Sequence, residues 1–202
     1  MEIDKKISCT ILAILYVVAA YLCPFIWMGL FTYDDTTNIS FVALGIPFIM
    51  GIFNAVYIKI NFEKISRSTL LRCAILIKYL LIPMYIVGGF LIVVFLLITV
   101  IPIVITIFIG PFFALLLSAY GYATMLGGNA FSLAYIKKAR REGVHSKLLS
   151  RIGKILQFFF TIDVISLAVL SIKEKKYIGA TIAVIIALIL GFISIIAWLI
   201  LQ

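Results

Sequence analysis

Asp163 is an acidic residue within the long apolar stretch QFFFTIDVISLAVL, which covers residues 157–170. An ionised carboxylate at the centre of a membrane helix costs at least ~2.5–3.5 kcal/mol, so it pairs with a cation, becomes protonated or faces a cavity. Ser166 follows three residues later, in the adjacent turn of the same predicted helix. Asp163 is therefore the centre of a candidate intramembrane polar site.

Three other side chains are candidate partners of this carboxylate. Lys78 reaches it if the third helix begins before residue 79, and Asn54 and Asn129 offer hydrogen bonds from other predicted spans. Asp163 can then be a structural tie between helices, a proton or cation site in a transporter, or a residue closer to water than the span boundary implies. We favour the structural tie.

The rest of the sequence predicts no enzyme. It contains none of the motifs HExxH, GxSxG, GxxxxGK[ST] and GxGxxG. The three cysteines are scattered without a CxxC pair, and His145 has no second ligand residue at metal-binding spacing. We predict no catalytic residue, no metal, no cofactor and no nucleic-acid partner. A lipid-modifying enzyme, a third option, would need a polar cluster that only the fold assembles.

The elements that position these groups are apolar helices. Of the 202 residues, 65% are hydrophobic and 12% are charged, against about 45–50% and about 25% in soluble domains. The long runs rich in Ile, Leu, Val and Phe lack the alternating pattern of a membrane β-barrel. We predict an all-α, polytopic transmembrane bundle that forms a single integral membrane domain over residues 1–202.

Six spans follow from the lengths of the apolar runs, because about 20 apolar residues cross the hydrocarbon layer. They cover residues 7–31, 39–58, 79–106, 111–136, 152–172 and 178–201. We expect the turn between the third and fourth spans at Gly110-Pro111, since proline ends or kinks a helix, and Pro102 is the rival position. An alternative topology divides residues 69–136 into three spans.

The basic segments 59–78 and 137–151 are expected on the cytoplasmic side of the cell membrane, together with both termini. In this topology 14 of the 17 Lys and Arg residues lie inside. The other three, Lys173, Lys175 and Lys176, lie outside, against the positive-inside rule. The three-span alternative is disfavoured because it would place the basic residues of 137–154 outside.

Small residues recur every four positions in the last span, at Gly179, Ala183, Ala187 and Gly191. Successive members lie about 40° apart on a helix and form a strip that allows close helix packing. We favour packing within the chain over a contact with a second copy or a partner subunit.

Four basic residues, Arg140, Lys147, Arg151 and Lys154, fall within an arc of about 60° if one helix continues through residues 140–154. Such a stripe attracts the anionic headgroups of membrane lipids at about 1 kcal/mol per cation. An acidic cytosolic partner is the alternative ligand.

These features predict a non-enzymatic multi-pass protein that acts as a packing or accessory component of a membrane complex. The small-residue strip and the basic faces are the surfaces available for a homo-oligomer or a larger assembly. The second hypothesis is a small transporter or channel that uses Asp163 as a proton or cation site.

Overall fold

The computed structural model describes residues 2–31, 37–100 and 104–200, and all regular secondary structure in these ranges is helical. The described helices are α1 (Glu2–Phe31), α2 (Thr37–Asn61), α3 (Arg67–Ile98), α4 (Val104–Arg141), α5 (Lys147–Leu156), α6 (Ile162–Lys173) and α7 (Ile178–Ile200). The predicted helical bundle is confirmed.

Four of the described helices are long and apolar enough to cross a membrane. Their candidate spans are Ile3–Trp27 in α1, Val42–Asn61 in α2, Arg67–Ile98 in α3 and Ile107–Arg141 in α4. The apolar segment assessed in α7, Ile178–Gly191, is shorter. A helix suits a lipid environment because it pairs its own backbone N–H and C=O groups. By length and composition, the bundle is that of a membrane protein.

Helices α3 and α4 pack along each other, α2 contacts both α1 and α4, and α1 also contacts α3. Two tyrosines form hydrogen bonds between α1 and α4 within this bundle. The Tyr16 hydroxyl donates to the Thr124 carbonyl oxygen at 2.5 Å, and the Tyr120 hydroxyl donates to the Ala20 carbonyl oxygen at 2.6 Å. The core around these contacts includes Cys9, Ala13, Leu70, Ile77, Leu81, Phe131 and Tyr135.

Helices α2 and α4 meet at two glycines. A Cβ atom on Gly51 would overlap the Cα atom of Gly127. A Cβ atom on Gly127 would lie 2.6 Å from the Tyr16 hydroxyl oxygen and 3.2 Å from the Pro47 carbonyl oxygen. Helix backbones approach this closely in lipid only where side chains are small. Gly51 and Gly127 therefore set the spacing of α2 and α4 around Tyr16 of α1.

The connection between the third and fourth predicted spans falls between Ile98 and Val104, so the turn predicted at Gly110-Pro111 is wrong. Both residues lie inside α4. A Cβ atom on Gly110 would overlap the Phe95 carbonyl oxygen, so this glycine allows α3 and α4 to converge instead of ending a helix. Pro102, the rival turn position, lies outside the described residues.

Helix α3 begins at Arg67 instead of at residue 79, within the segment that the sequence assigned to a cytoplasmic loop. Its N-cap is Ser66, whose hydroxyl oxygen accepts a hydrogen bond from the Thr69 backbone N–H at 3.3 Å. A serine in this position satisfies one of the unpaired N–H groups at a helix start. The early start makes Lys78 part of the helix.

The predicted fifth span, 152–172, is two short helices and not one. Helix α5 ends at Leu156 and α6 begins at Ile162, with residues 157–161 forming the turn between them. Thr161 has a φ angle of 69°, in the left-handed region, which a right-handed helix cannot contain. We call α5, this turn and α6 the hairpin.

Both ends of the hairpin lie at the same end of the bundle. Arg67, at the start of α3, contacts Glu142 before the hairpin at 2.6 Å and Glu174 after it at 3.3 Å. The Tyr177 hydroxyl is also 3.4 Å from the Ser68 hydroxyl. The hairpin therefore enters and leaves the bundle at the N-terminus of α3 instead of crossing from end to end.

Gly51→Ala is expected to destabilise the protein, whereas Gly45→Ala on the same helix is not. The new Cβ atom at position 51 overlaps the Gly127 backbone, while one at position 45 meets no atom of the described chain within 4 Å. Overpacking typically costs about 1–3 kcal/mol, and alanine at an open helical position gains up to about 1 kcal/mol over glycine. Thermal unfolding in detergent, followed by circular dichroism, measures both. Equal thermal unfolding midpoints for the two variants would contradict the close approach of α2 to α4 at Gly51.

Candidate functional site

Four buried polar residues form what we call the ion-pair cluster: Lys78 of α3, Asn129 of α4, Gln157 at the end of α5 and Asp163 of α6. Each is at most 2% exposed. The Lys78 ammonium donates to the Asp163 carboxylate and, at 2.5 Å, to the amide oxygen of Asn129. The Asn129 amide nitrogen donates to the Gln157 carbonyl oxygen at 2.6 Å. The cluster therefore joins α3, α4 and both sides of the hairpin turn.

The local structure around Asp163 favours a negative charge. Asp163 lies in the first turn of α6, where free backbone N–H groups and the helix dipole attract an anion. One carboxylate oxygen accepts a hydrogen bond from the Val164 N–H at 2.8 Å, and the other contacts the Lys78 ammonium. Asp163 therefore lies at the beginning of a short helix, whereas the sequence had indicated the middle of a long one.

Lys78 supplies the positive charge from well inside α3. It lies eleven residues after Arg67, which is about 16 Å along the helix axis. A buried ion costs several kcal/mol unless it is paired and hydrogen-bonded, and Lys78 has both a carboxylate and an amide partner. Both charges are closed to solvent, so this geometry suits a fixed contact better than proton exchange with water.

Gln157 is the member of the cluster that the sequence analysis missed. The available signal was its position just before three phenylalanines, because a polar residue in an apolar run needs hydrogen-bond partners. Its amide nitrogen lies 3.4 Å from the Asp163 carbonyl oxygen. Its amide oxygen is buried and has no hydrogen-bond partner in the described part of the chain. The buried Gln157 side chain thus connects the two ends of the hairpin turn.

The other two predicted members of the polar site do not join these hydrogen bonds. Ser166 is buried in the turn of α6 that follows Asp163, but it takes no part in the hydrogen bonds that link the four cluster residues. Asn54 of α2 is 1% exposed, and neither atom of its amide has a hydrogen-bond partner among the described residues. The structure thus brings together three of the five predicted residues: Lys78, Asn129 and Asp163.

A second cluster of polar residues lies at the end of the bundle where the hairpin enters. The Tyr135 hydroxyl donates to the Glu174 carboxylate at 2.6 Å, so His145 Nε2, which is 3.0 Å from the same hydroxyl, acts as the donor to Tyr135. Arg67 Nε lies 3.3 Å from the same Glu174 oxygen. Burial lowers the pKa of the His145 imidazole, and the Glu174 carboxylate offsets part of that shift. His145 is thus a buried residue that joins α4 to the hairpin.

The described residues offer no obvious place for a metal ion. Within these ranges, no group of three His, Cys, Asp or Glu side chains lies close enough together to hold one. Cys9, Cys23 and Cys73 are buried free thiols. The absence of a metal, a cofactor and catalytic residues stays a prediction.

The small-residue strip of α7 consists of Gly179, Ala183, Ala187 and Gly191. Its two alanines are exposed, and a Cβ atom on either glycine would meet nothing within 4 Å in the described chain. Thr181 instead contacts the bundle, with its hydroxyl 2.8 Å from that of Tyr79. Thr181 and Ala183 are two positions apart, about 160° around the helix. Like nearly all of residues 182–191, the strip is exposed, so it does not provide, within the described chain, the packing that the sequence favoured.

The four basic residues expected to share one stripe lie on two helices. The chain leaves α4 and turns at Gly143, which has a φ angle of 73°, before α5 begins. Lys147, Arg151 and Lys154 share α5 and keep their arc of about 60°. Arg140 belongs to α4, because the helix does not continue through residues 140–154 as the stripe required.

An apolar groove of about 630 Å³ lies among α1, α2, α3, α4 and the hairpin turn. Pro24, Trp27 and Pro83 line it, and so do the rings of Tyr85 and Phe160, whose centroids are 4.7 Å apart in an edge-to-face contact. No residue of the ion-pair cluster lines this groove. The groove thus comes within three residues of Asp163 in sequence without opening onto its carboxylate.

Removal of either charge from the ion-pair cluster is expected to destabilise the protein strongly. Lys78→Met leaves a buried carboxylate without its cation, and Asp163→Leu leaves a buried ammonium without its anion, each at a cost of about 3–5 kcal/mol. The double variant Lys78→Met/Asp163→Leu removes both charges and is expected to recover most of this loss.

The free energies of unfolding of the parent, the two single variants and the double variant, measured in one detergent, give the coupling energy of the pair. Ser166→Ala is the control on α6, because Ser166 takes no part in the cluster's hydrogen bonds. Additive losses in the double variant would show that Lys78 and Asp163 do not interact directly.

Comparison with known proteins gives one match. A family model described as a family of unknown function (DUF6652) matches residues 3–176. No curated protein and no solved structure matches the chain.

Proposed function

The chain belongs to this family of unknown function, and we propose its role from its geometry. It is a non-enzymatic multi-pass membrane protein that serves as a packing or accessory component of a membrane complex. The observation that carries this proposal is the small-residue strip of α7, which no other part of the described chain covers. Because apolar helices gain little from association in lipid unless they pack closely, such a strip suits a contact with another helix.

The ion-pair cluster supports a structural role for Asp163 in this protein. Its carboxylate pairs with Lys78, and Asn129 connects the same lysine to the backbone of the hairpin turn. A pair of this kind fixes one arrangement of helices, because every alternative leaves a charge without a partner in a region closed to solvent. The hairpin and the four long helices thus form one rigid support for α7.

The position of the hairpin supports a topology of five crossings. Helices α1 to α4 cross the cytoplasmic membrane four times, the hairpin returns to the cytoplasmic side, and α7 makes the fifth crossing. Lys173, Lys175 and Lys176 then join the 14 cationic residues already expected inside, so all 17 obey the positive-inside rule. This proposal replaces the six-span topology: the N-terminus is cytoplasmic and the C-terminus is outside.

Cysteine labelling distinguishes the two topologies. In intact cells, Lys173→Cys and the inside control Lys64→Cys are both expected to resist a membrane-impermeant maleimide, because both positions face the cytoplasm in the proposed topology. Asp34→Cys, in the acidic segment between α1 and α2, serves as the labelled outside control. The three native cysteines are buried and give little background. Labelling of Lys173→Cys from outside would restore the six-span topology.

Enlarging the strip tests the proposed interface. Ala183→Leu/Ala187→Leu is expected to abolish co-purification of partner subunits or second copies after cross-linking in native membranes. The thermal stability of the purified chain should not change, because both alanines are exposed. Ile182→Phe, an enlargement of an exposed side chain about 100° away from Ala183, is the matched control. A chain that cross-links to nothing, or whose complex tolerates both leucines, would refute the proposal.

A small transporter or channel with Asp163 in its pathway is the second candidate function. The groove that ends at Tyr85 and Phe160, close to Asp163 in sequence, is the observation that favours it. In a transporter, Asp163→Asn would abolish pH-dependent flux in vesicles while the chain remained folded. In the structural role, the same variant weakens folding and changes no flux. The burial of the carboxylate against Lys78 supports the structural role.

A further inference from the structure

Helix α5 has one face buried against the rest of the protein. Ser150 is 1% exposed and Gly153 is also buried. A Cβ atom on Gly153 would contact Ile136 of α4 at 3.5 Å and Leu170 of α6 at 3.8 Å. This face fixes the rotation of α5 about its own axis, so the directions of its other faces are determined.

The face of α5 opposite the bundle is apolar and exposed. Leu148, Ile152 and Ile155 are 68%, 44% and 59% exposed, and they fall within an arc of about 60°. The centre of this arc lies about 160° from the centre of the buried face. An apolar face that points straight away from a membrane-spanning bundle is suited to contact with lipid acyl chains.

The third face of α5 is cationic and lies between the other two. Lys147, Arg151 and Lys154 project from it, about 100° from the centre of the apolar face. None of the three forms a salt bridge with an acidic residue in the described part of the chain. Three cations beside an exposed apolar face form the pattern of a helix that lies at a membrane surface.

Contacts at both ends of α5 set its orientation relative to α4. At its N-terminal end, His145 bonds to Tyr135 of α4, and at its C-terminal end the Gln157 carbonyl oxygen bonds to Asn129 of α4. Tyr135 and Asn129 are six residues apart, about 9 Å along α4, whereas the ten residues of α5 extend about 15 Å. Helix α5 is therefore tilted relative to α4, and its C-terminal end is the one nearer the ion-pair cluster.

We propose that α5 is an interfacial helix that binds anionic phospholipid headgroups through Lys147, Arg151 and Lys154. Its apolar face rests in the acyl chains of the same leaflet, while the cations contact the phosphate groups above them. Lipid is the occupant that fits both faces, because an acidic soluble protein would leave the apolar face without cover. This inference goes beyond the proposed partner contact on α7 and does not depend on it.

Spin-labelled lipids test the proposal on the purified full-length chain in bilayers. Phosphatidylglycerol and phosphatidylcholine that carry the same labelled acyl chain are compared by the fraction of each that is motionally restricted by the protein. The parent protein is expected to select the anionic lipid. In the variant Lys147→Gln/Arg151→Gln/Lys154→Gln this selectivity should fall by roughly fivefold or more, because each cation near an anionic surface contributes to binding.

Lys59→Gln/Lys64→Gln/Arg140→Gln is the matched control, since it removes three charges from cations that are not on α5. It is expected to reduce the selectivity much less, and the variant Lys147→Arg/Lys154→Arg should retain it. Circular dichroism and thermal midpoints establish that all variants are folded. An equal loss in both triple-Gln variants would mean that net charge alone selects the lipid. Either that result or unchanged selectivity in the α5 variant would overturn the proposal.

Discussion

Lys78 and Asp163 come from helices far apart in the sequence, and each is closed to solvent in the folded chain. Separating them would leave two buried charges, a state that costs several kcal/mol in a region where water cannot compensate. Asn129 extends this constraint, because its amide oxygen accepts from the lysine while its amide nitrogen holds the hairpin turn. These contacts therefore favour the observed docking of the hairpin against α3 and α4, from which α7 continues.

Small residues supply the second constraint. The four long helices expose large apolar side chains on their outer faces, as helices in lipid do, so burial of apolar surface does little to hold them together. Close contact does this instead, at Gly51 and Gly127 between α2 and α4 and at Gly110 between α3 and α4. Tyr16 fits beside Gly127 and donates its hydrogen bond to the Thr124 carbonyl oxygen. The same principle underlies the proposed contact of another helix with the exposed strip of α7.

The hairpin explains an irregularity in the distribution of charge. Three lysines after α6 violated the positive-inside rule as long as residues 152–172 were taken to cross the membrane. The contacts of Arg67 with Glu142 and Glu174 bring both ends of the hairpin to one end of the bundle. In the proposed topology of five crossings the violation disappears, because this segment returns to the side from which it entered. The segment resembled a span in length and hydrophobicity because the hairpin buries one apolar side against the bundle and exposes another, with Phe159, Ile165 and Val169 each more than half exposed.

The helical class and the approximate extents of the first two spans could be read from the sequence, because long apolar runs have no stable alternative to helices in lipid. Of the five residues predicted for the polar site, Lys78, Asn129 and Asp163 do meet, since polar groups in apolar segments need partners, whereas Asn54 and Ser166 take no part. The turn predicted at Gly110-Pro111 was wrong, because this glycine serves a contact between helices. Gln157 was not predicted, because its partners lie on another helix and beyond the hairpin turn.

The sequence by itself determined which polar side chains are costly to bury without a partner: one deep carboxylate, a lysine and two asparagines. It also determined that the last helix carries a strip of small residues. Only the tertiary structure decided which partner each of these side chains has. The ion pair, the break at residues 157–161 and the placement of α7 all depend on contacts between residues 28 to 102 positions apart, which no local pattern encodes. The physical reason is that composition fixes the energy of burying a group, whereas the partner that offsets this energy is chosen by three-dimensional packing.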